Sequence, residues 1–496
     1  MDAPSPRRAL AWEPERARAL GDDVVELWEE LLRRLPDLPV GRATPAEAVR
    51  DAVVLDVPEE ALGDDTLVDY LRRVVLDHSI YPGHPGFMAY ITASGTVPGA
   101  AADLLAAALN QNLGGWLLSP AATEIENALT RWLAARFGLP DTAGGLMTSG
   151  GAAANFIALK TARDSGGRNE IRAHGIGGRR LVAYASEEAH VTIARAADMA
   201  GIGMDAVRAV PVNDRYEMDA GALRDAVERD VAEGYEPFVV VATAGTTATG
   251  AVDPLVEIGD VCRERGLWFH VDAAYGGPAI LTDDLAPLLA GIDRADSITV
   301  DPHKWLYTPQ SGGCLLVART EDLAAAWEVE ASYVHQDRAR TSRGRDLRTL
   351  GPQFSRSFQG LKVWVSLLAH GRRAYAERIS HDAALTRYLA SLVEARDDFE
   401  LMAPVTLSIC CFRYVPEDLG GFADRDAYLD ALNERILTEA QLDGRVFYSN
   451  AVLRGSFCLR TCIVNYRTEA PDVERVLEVS AEIGERLHRE LRSGAA

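Results

Sequence analysis

Between residues 145 and 320 the chain alternates short apolar runs with helical ones, and this alternation limits the fold more than any other feature of the sequence. The runs LVAYAS, FVVVATAG, LWFHVDAA, SITVDP and GGCLLVAR are apolar and rich in β-branched residues. Stretches of helical period such as DAGALRDAVERDVAEG and DPLVEIGDVCRERG separate them. Apolar strands joined by crossover helices predict an α/β fold with a mostly parallel sheet covered on both faces. The chain has 496 residues, 48% of them hydrophobic, enough to bury such a core and to form two or three packed units.

On either side the pattern changes. Helical periodicity marks 13–80, as in DDVVELWEELLRRL and DDTLVDYLRRVVLDH. Residues 81–98, YPGHPGFMAYITASGTVP, are dense in Pro, Gly and aromatics and predict a long ordered loop. Helices are expected near 99–111, 120–138, 360–395 and 471–492, with strands in LSICCFRYV and SFCLRTCIVNY. The expected division is a helical N-terminal segment at 1–80, a large α/β domain at 81–375 and a small α+β domain at 376–496.

Charge and composition narrow the function. A net charge of -22 argues against nucleic acid as a partner, because phosphate backbones are held by surplus Lys and Arg. No uncharged apolar run approaches the roughly 18 residues of a membrane span, and the opening MDAPSPRRALAWEPERARAL lacks the apolar centre of a secretory signal. A cytoplasmic location with no membrane contact is therefore expected. The six cysteines form no CxxC pair, and the ten histidines form no HExxH or clustered ligand spacing. Reduced core cysteines and no metal are expected.

In open α/β sheets, ligands bind outside the carboxyl ends of strands. Four polar segments end apolar runs here: MTSGGAAAN, ATAGTT, HVDAAYGG and VDPHKW. The first places Gly150, Gly151 and Ala152 before a helical run, where backbone N–H groups and the helix dipole favour a phosphate. Asp272 ends the run LWFHVDAA, a costly place for a carboxylate without a partner, and a protonated ring nitrogen would be such a partner. Lys304, in Asp301-Pro302-His303-Lys304-Trp305, stands among apolar and aromatic residues where burial lowers a lysine pKa and suits Schiff-base chemistry. His190 follows the run LVAYAS at the start of a helix.

Taken in order, TSGGAAAN, EEAH, ATAGTTATGAVDPL, HVDAAYGG and DPHKW resemble the motifs of the group II amino-acid decarboxylases, which depend on pyridoxal 5'-phosphate (PLP). The aromatic-L-amino-acid, glutamate and 2,4-diaminobutyrate decarboxylases belong to that family. HPGFMAY, SPAATEIE, FQGLKVW and CLRTCIVNYRT extend the resemblance over roughly 80–470. It implies a fold-type I PLP-dependent transferase architecture, like aspartate aminotransferase, with a mostly parallel seven-stranded central sheet. It also implies a homodimer whose sites are built from both chains, the helical leader packing on the partner subunit.

By resemblance, Lys304 carries the cofactor as a Schiff base and Asp272 faces the pyridine nitrogen. His190 stacks on one face of the ring and Ala274 packs on the other. Gly151 and Ala152 give N–H groups to the phosphate, helped by Asp301 and His303, although a carboxylate there repels phosphate unless it acts through water or backbone. Thr243 contacts cofactor or substrate, and Arg460 lies near the substrate carboxylate. Tyr90, Ile91, Thr92, Asn112, Gly114 and Trp116 take pocket positions whose apolar or small character suits an aromatic or hydrophobic amino acid.

One departure separates this chain from the aromatic-amino-acid branch, whose members carry a loop tyrosine thought to help protonate the substrate carbon. The matching stretch, HQDRARTSRGRDLRTLGPQ, has no aromatic residue and places Leu347 near that position. The expected activity is decarboxylation of an L-amino acid to the amine. Oxidative decarboxylation and deamination to an aldehyde is its rival, and a non-catalytic binding protein on the same fold the more distant one.

Overall fold

The computed structural model describes residues 10–53, 56–329, 344–420 and 424–492. After a short first strand β1 (Phe87–Met88), seven strands build the large sheet: β2 (Gly144–Thr148), β3 (Leu181–Ser186), β4 (Val207–Val210), β5 (Glu236–Thr243), β6 (Trp268–Asp272), β7 (Ser297–Val300) and β8 (Gly313–Val317). Their order is β2-β8-β7-β6-β5-β3-β4. Every pairing is parallel except the two made by β8, which runs against β2 and β7. Helices such as Gly151–Asp164 and Leu255–Arg265 cover the faces, so β2, β3, β6, β7 and β8 are buried along their whole length. That burial is why these strands read as continuous apolar runs.

The helical leader is shorter in each piece than its periodicity suggests. Helices run over Pro14–Arg34, Ala46–Ala52 and Asp64–Tyr70, interrupted by prolines at 36, 39, 45 and 58 that remove helix donors. The third continues as a π-helical turn over Leu71–Leu76, and Arg16 pairs with Asp64 and Glu30 with Arg72, so the first helix and this continuous third one hold each other. Among the described residues no helix is long and apolar enough to cross a membrane.

A second sheet orders β1 beside four later strands, β9 (Phe399–Leu401), β10 (Ile409–Tyr414), β11 (Phe447–Leu453) and β12 (Ser456–Cys462), as β1-β11-β12-β10-β9. The long helix Gly360–Glu394 carries the chain from the large sheet to this one and bends at Gly371, where φ is 73°. Beyond the bend it fastens the loop that follows β7. Asp382, fully buried, accepts from Trp305 Nε1 at 3.0 Å and Tyr307 OH at 2.7 Å. Arg378 pairs with Asp382 at 2.8 Å and also donates to the carbonyls of Asn465 and Thr468. All six cysteines are buried and unpaired.

Candidate active site

Five strand ends converge at the carboxyl edge of the large sheet. Asp272 is the last residue of β6 and Thr243 the last of β5, level with each other in register. Gly151 starts the helix after β2, His190 follows β3, and Asp301, His303 and Lys304 follow β7. Together with Ala152 and Ala274 they line one cavity of about 290 Å³. The nine residues expected at the cofactor are thus neighbours in space.

Close approach explains the glycines. A Cβ on Gly151 would lie 2.8 Å from Asp301 Oδ2 and 3.3 Å from the Ala274 Cβ. The helix it starts leaves the Gly151 and Ala152 N–H groups without intrahelical acceptors, an open position for an anion. Asp301 stands beside that position, 2% exposed, with Lys304 Nζ at 3.1 Å and His303 Nε2 at 3.8 Å from its Oδ2. Its Oδ1 and the Thr243 hydroxyl are buried without a hydrogen-bond partner.

The other groups are fixed by hydrogen bonds. Asp272 accepts from Asn155 Nδ2 at 2.8 Å and from the Ala274 N–H at 3.1 Å. Thr192 gives its N–H to His190 Nδ1 at 3.3 Å, and its hydroxyl lies 2.8 Å from the same nitrogen. A backbone N–H can only donate, so the neutral His190 ring carries its proton on Nε2. Burial holds its pKa below the usual value, with Asp272 pulling the other way, so the ring is uncharged at pH 7. Burial likewise lowers the pKa of His303.

The seven residues expected at the substrate do not line this cavity. Arg460, on β12 and 3% exposed, gives Nε to Ala248 O at 3.1 Å and Nη1 to Tyr90 O at 3.2 Å, and its Nη2 has no partner. Ala248 belongs to the loop whose Gly245 and Thr247 do line the cavity. Tyr90 is exposed, Ile91 packs on the core, and Thr92 is half-buried beside them. Asn112, Gly114 and Trp116 lie apart, against residues 346–356: Asn112 Oδ1 accepts from the Arg356 N–H, a Cβ on Gly114 would meet Phe354 O at 2.0 Å, and the Trp116 N–H donates to Asp346. Leu347 is buried in a hydrophobic cluster with Leu113 and Leu146, away from the cavity rather than on an open loop tip. The first part of the stretch HQDRARTSRGRDLRTLGPQ, 335–343, lies outside the described residues.

Asn155, Thr192, Gly245, Thr247 and Tyr275 also line the cavity and were not singled out from the sequence. Asn155 closes the TSGGAAAN segment, and an amide one turn into a helix facing an apolar sheet is the signal that marks it.

Known proteins agree with this geometry. The pyridoxal-dependent decarboxylase conserved domain matches residues 47–415. An aromatic-L-amino-acid decarboxylase of Bacillus atrophaeus is 30% identical over 93% of this chain and 94% of its own. A phenylacetaldehyde synthase of Arabidopsis thaliana is 28% identical over 94% of this chain and 96% of its own. The crystal structure of Oryza sativa TDC with PLP and tryptamine superposes with a TM-score of 0.90 at 28% identity, covering 96% of this chain and 99% of that one. The chain belongs to the pyridoxal-dependent decarboxylase family and is a PLP-dependent amino-acid decarboxylase of fold type I.

Proposed function

We propose that the enzyme converts an L-amino acid with an aromatic or hydrophobic side chain to its amine and carbon dioxide, with Lys304, Asp272 and His190 as the working groups. The observation that carries this reading is the meeting of those three residues, from three strand ends, in one cavity with a helix N-terminus. PLP supplies, when bound, an aldehyde that an amine can capture and an electron-withdrawing ring. The residues fit that group: Lys304 Nζ would bind its aldehyde carbon, and Asp272 would pair with its ring nitrogen. Gly151 and Ala152 would offer N–H groups to its phosphate, Thr243 would offer its hydroxyl, and His190 and Ala274 would pack on its ring.

His190 holds its proton on Nε2 and lines the cavity, where it could supply a proton to the substrate carbon. Arg460 does not line the cavity but touches the loop that does, and among the described residues it is a buried cation with an unused N–H and no carboxylate partner, which suits it to a substrate carboxylate. Such a contact would hold the Cα–carboxylate bond in one orientation, and orientation is the protein's main contribution to rate.

The second reading, an aldehyde product, is favoured by the absent loop tyrosine and by the similarity to a phenylacetaldehyde synthase. A mass-spectrometric product screen of the PLP-loaded enzyme against the common amino acids, in air and without oxygen, separates the two. Amine is the expected major product under both conditions. Stoichiometric aldehyde and peroxide in air would establish the oxidase instead.

Asp301 makes a separate prediction. Its carboxylate stands beside the position open to an anion, so it opposes the phosphate it helps to enclose. Asp301→Asn is expected to tighten PLP binding by about 3-fold to 10-fold, roughly the effect of one partly screened charge. Weaker binding in an absorbance titration of the apoenzyme would show that the carboxylate helps the phosphate, through water or its Lys304 contact.

We also propose a cytoplasmic homodimer. Leu104, Leu105 and Leu109 on the helix Val97–Leu109, with Leu117, Leu118 and Leu368, expose apolar surface that a second copy would cover. The buried, unpaired cysteines suit a reducing compartment. Light scattering on a sizing column reads the mass directly, and a monomer at micromolar concentration would refute the dimer.

A further inference from the structure

Strand β6 carries a polar stripe in an otherwise apolar sheet. Trp268, His270 and Asp272 alternate along it and so share one face, and Ser297 and Thr299 of β7 stand level with His270 and Asp272. All are buried, beneath the helix that bears Asn155. Trp268 Nε1 donates to Ser297 Oγ at 2.8 Å, and Ser297 Oγ lies 2.8 Å from His270 Nδ1. His270 Nε2 lies 3.1 Å from Asn155 Oδ1, which also accepts from the Thr299 hydroxyl at 2.7 Å. Asn155 Nδ2 then donates to Asp272 Oδ2 at 2.8 Å.

The direction of this chain is fixed at its Asp272 end, because a carboxylate can only accept and so faces Asn155 Nδ2, leaving Asn155 Oδ1 to accept from the Thr299 hydroxyl and from His270 Nε2. His270 Nδ1 then accepts from the Ser297 hydroxyl, whose oxygen accepts the indole N–H of Trp268. Complete burial pushes the His270 pKa down to about 4, so the ring is neutral and its one proton sits on Nε2, facing Asn155. That proton and the Thr299 hydroxyl both favour the oxygen of the Asn155 amide, which turns the amide nitrogen to Asp272. The reversed amide would set an oxygen against the carboxylate.

We propose that His270 is a positioning residue for the decarboxylation: with Trp268 and Ser297 it orients Asn155, which holds Asp272 as an aligned carboxylate toward the cofactor's ring nitrogen. The inference rests on the assignment of Asp272 to that nitrogen. A carboxylate that accepts a fixed amide donor keeps one rotamer, and an aligned Asp272 in turn favours a protonated ring.

The test uses full-length enzyme loaded with PLP. In His270→Phe the PLP dissociation constant is expected to rise by about 10-fold or more and kcat to fall by about 10-fold, the loss of one charge-assisted hydrogen bond. KM should change little, and the pH dependence of the bound cofactor's visible absorbance should shift. His270→Gln, whose amide reaches the same Asn155 oxygen, is expected to recover most of both losses. Trp268→Phe, which removes the N–H held by Ser297 along with part of the ring volume, should give a smaller defect of the same kind, and the circular dichroism of each variant checks that it folds. Native affinity and spectrum in His270→Phe would overturn the proposal, and so would a His270→Gln as impaired as His270→Phe. Asp272→Asn, measured alongside, separates the failures: a defect there with a native His270→Phe removes the relay alone, whereas no defect there removes the assignment of Asp272.

Discussion

Lys304→Ala is expected to abolish turnover and the visible absorbance that bound PLP gives in the native enzyme. The chain contains only three lysines, Lys160, Lys304 and Lys362. Lys160 pairs with Asp164 and lies over the Trp327 ring, and Lys362 is held by Asp103 at 2.9 Å and Gln310 O at 3.0 Å. Neither lines the cavity, so no second amine can take over the cofactor's aldehyde. Among the described residues Lys304 is held only by Asp301, and that contact is one a reacting amine can exchange. Borohydride reduction of the native enzyme should fix the cofactor's mass on the peptide containing Lys304. Undiminished visible absorbance in the alanine variant, or mass on another peptide, would place the covalent link elsewhere.

In Asp272→Asn the rate is expected to drop by at least about a hundredfold, roughly 2.7 kcal/mol of barrier. Two causes act together. The neutral amide no longer stabilises a protonated ring nitrogen, so the cofactor withdraws electrons less strongly. The amide also has one oxygen where the carboxylate has two, and both are engaged, by Asn155 and by the Ala274 N–H. One of those donors must lose its acceptor or the side chain must turn. The loss should fall on kcat/KM, with a changed visible spectrum at unchanged secondary structure, and a near-normal rate would remove Asp272 from its role.

How much of this was legible in the sequence followed burial. The central strands are apolar on both faces, so their runs and their polar ends stand out, and the ends are where Asp272, Thr243 and Lys304 sit. The strand β4 is short, lies at the sheet edge and is only partly buried, and so has no apolar run to betray it. Asn155 and His270 were missed for a different reason: each is one polar residue inside a buried element, and only the register of β6 with β7 brings them together. The positions around Tyr90 and Trp116 rested on resemblance, and within one chain they lie away from the cavity.

The fastening of Trp305 and Tyr307 by Asp382 has a consequence for the order in which the molecule matures. Asp382 is partnered by Arg378, whose other hydrogen bonds run to the carbonyls of Asn465 and Thr468 near the C-terminus. A chain emerging from the ribosome has made Lys304 well before those carbonyls exist. Until they follow, the loop next to Lys304 is tied to an incompletely anchored helix. A chain stopped short of Asn465 would keep every group expected to touch the cofactor while lacking the tie that steadies the loop carrying Lys304.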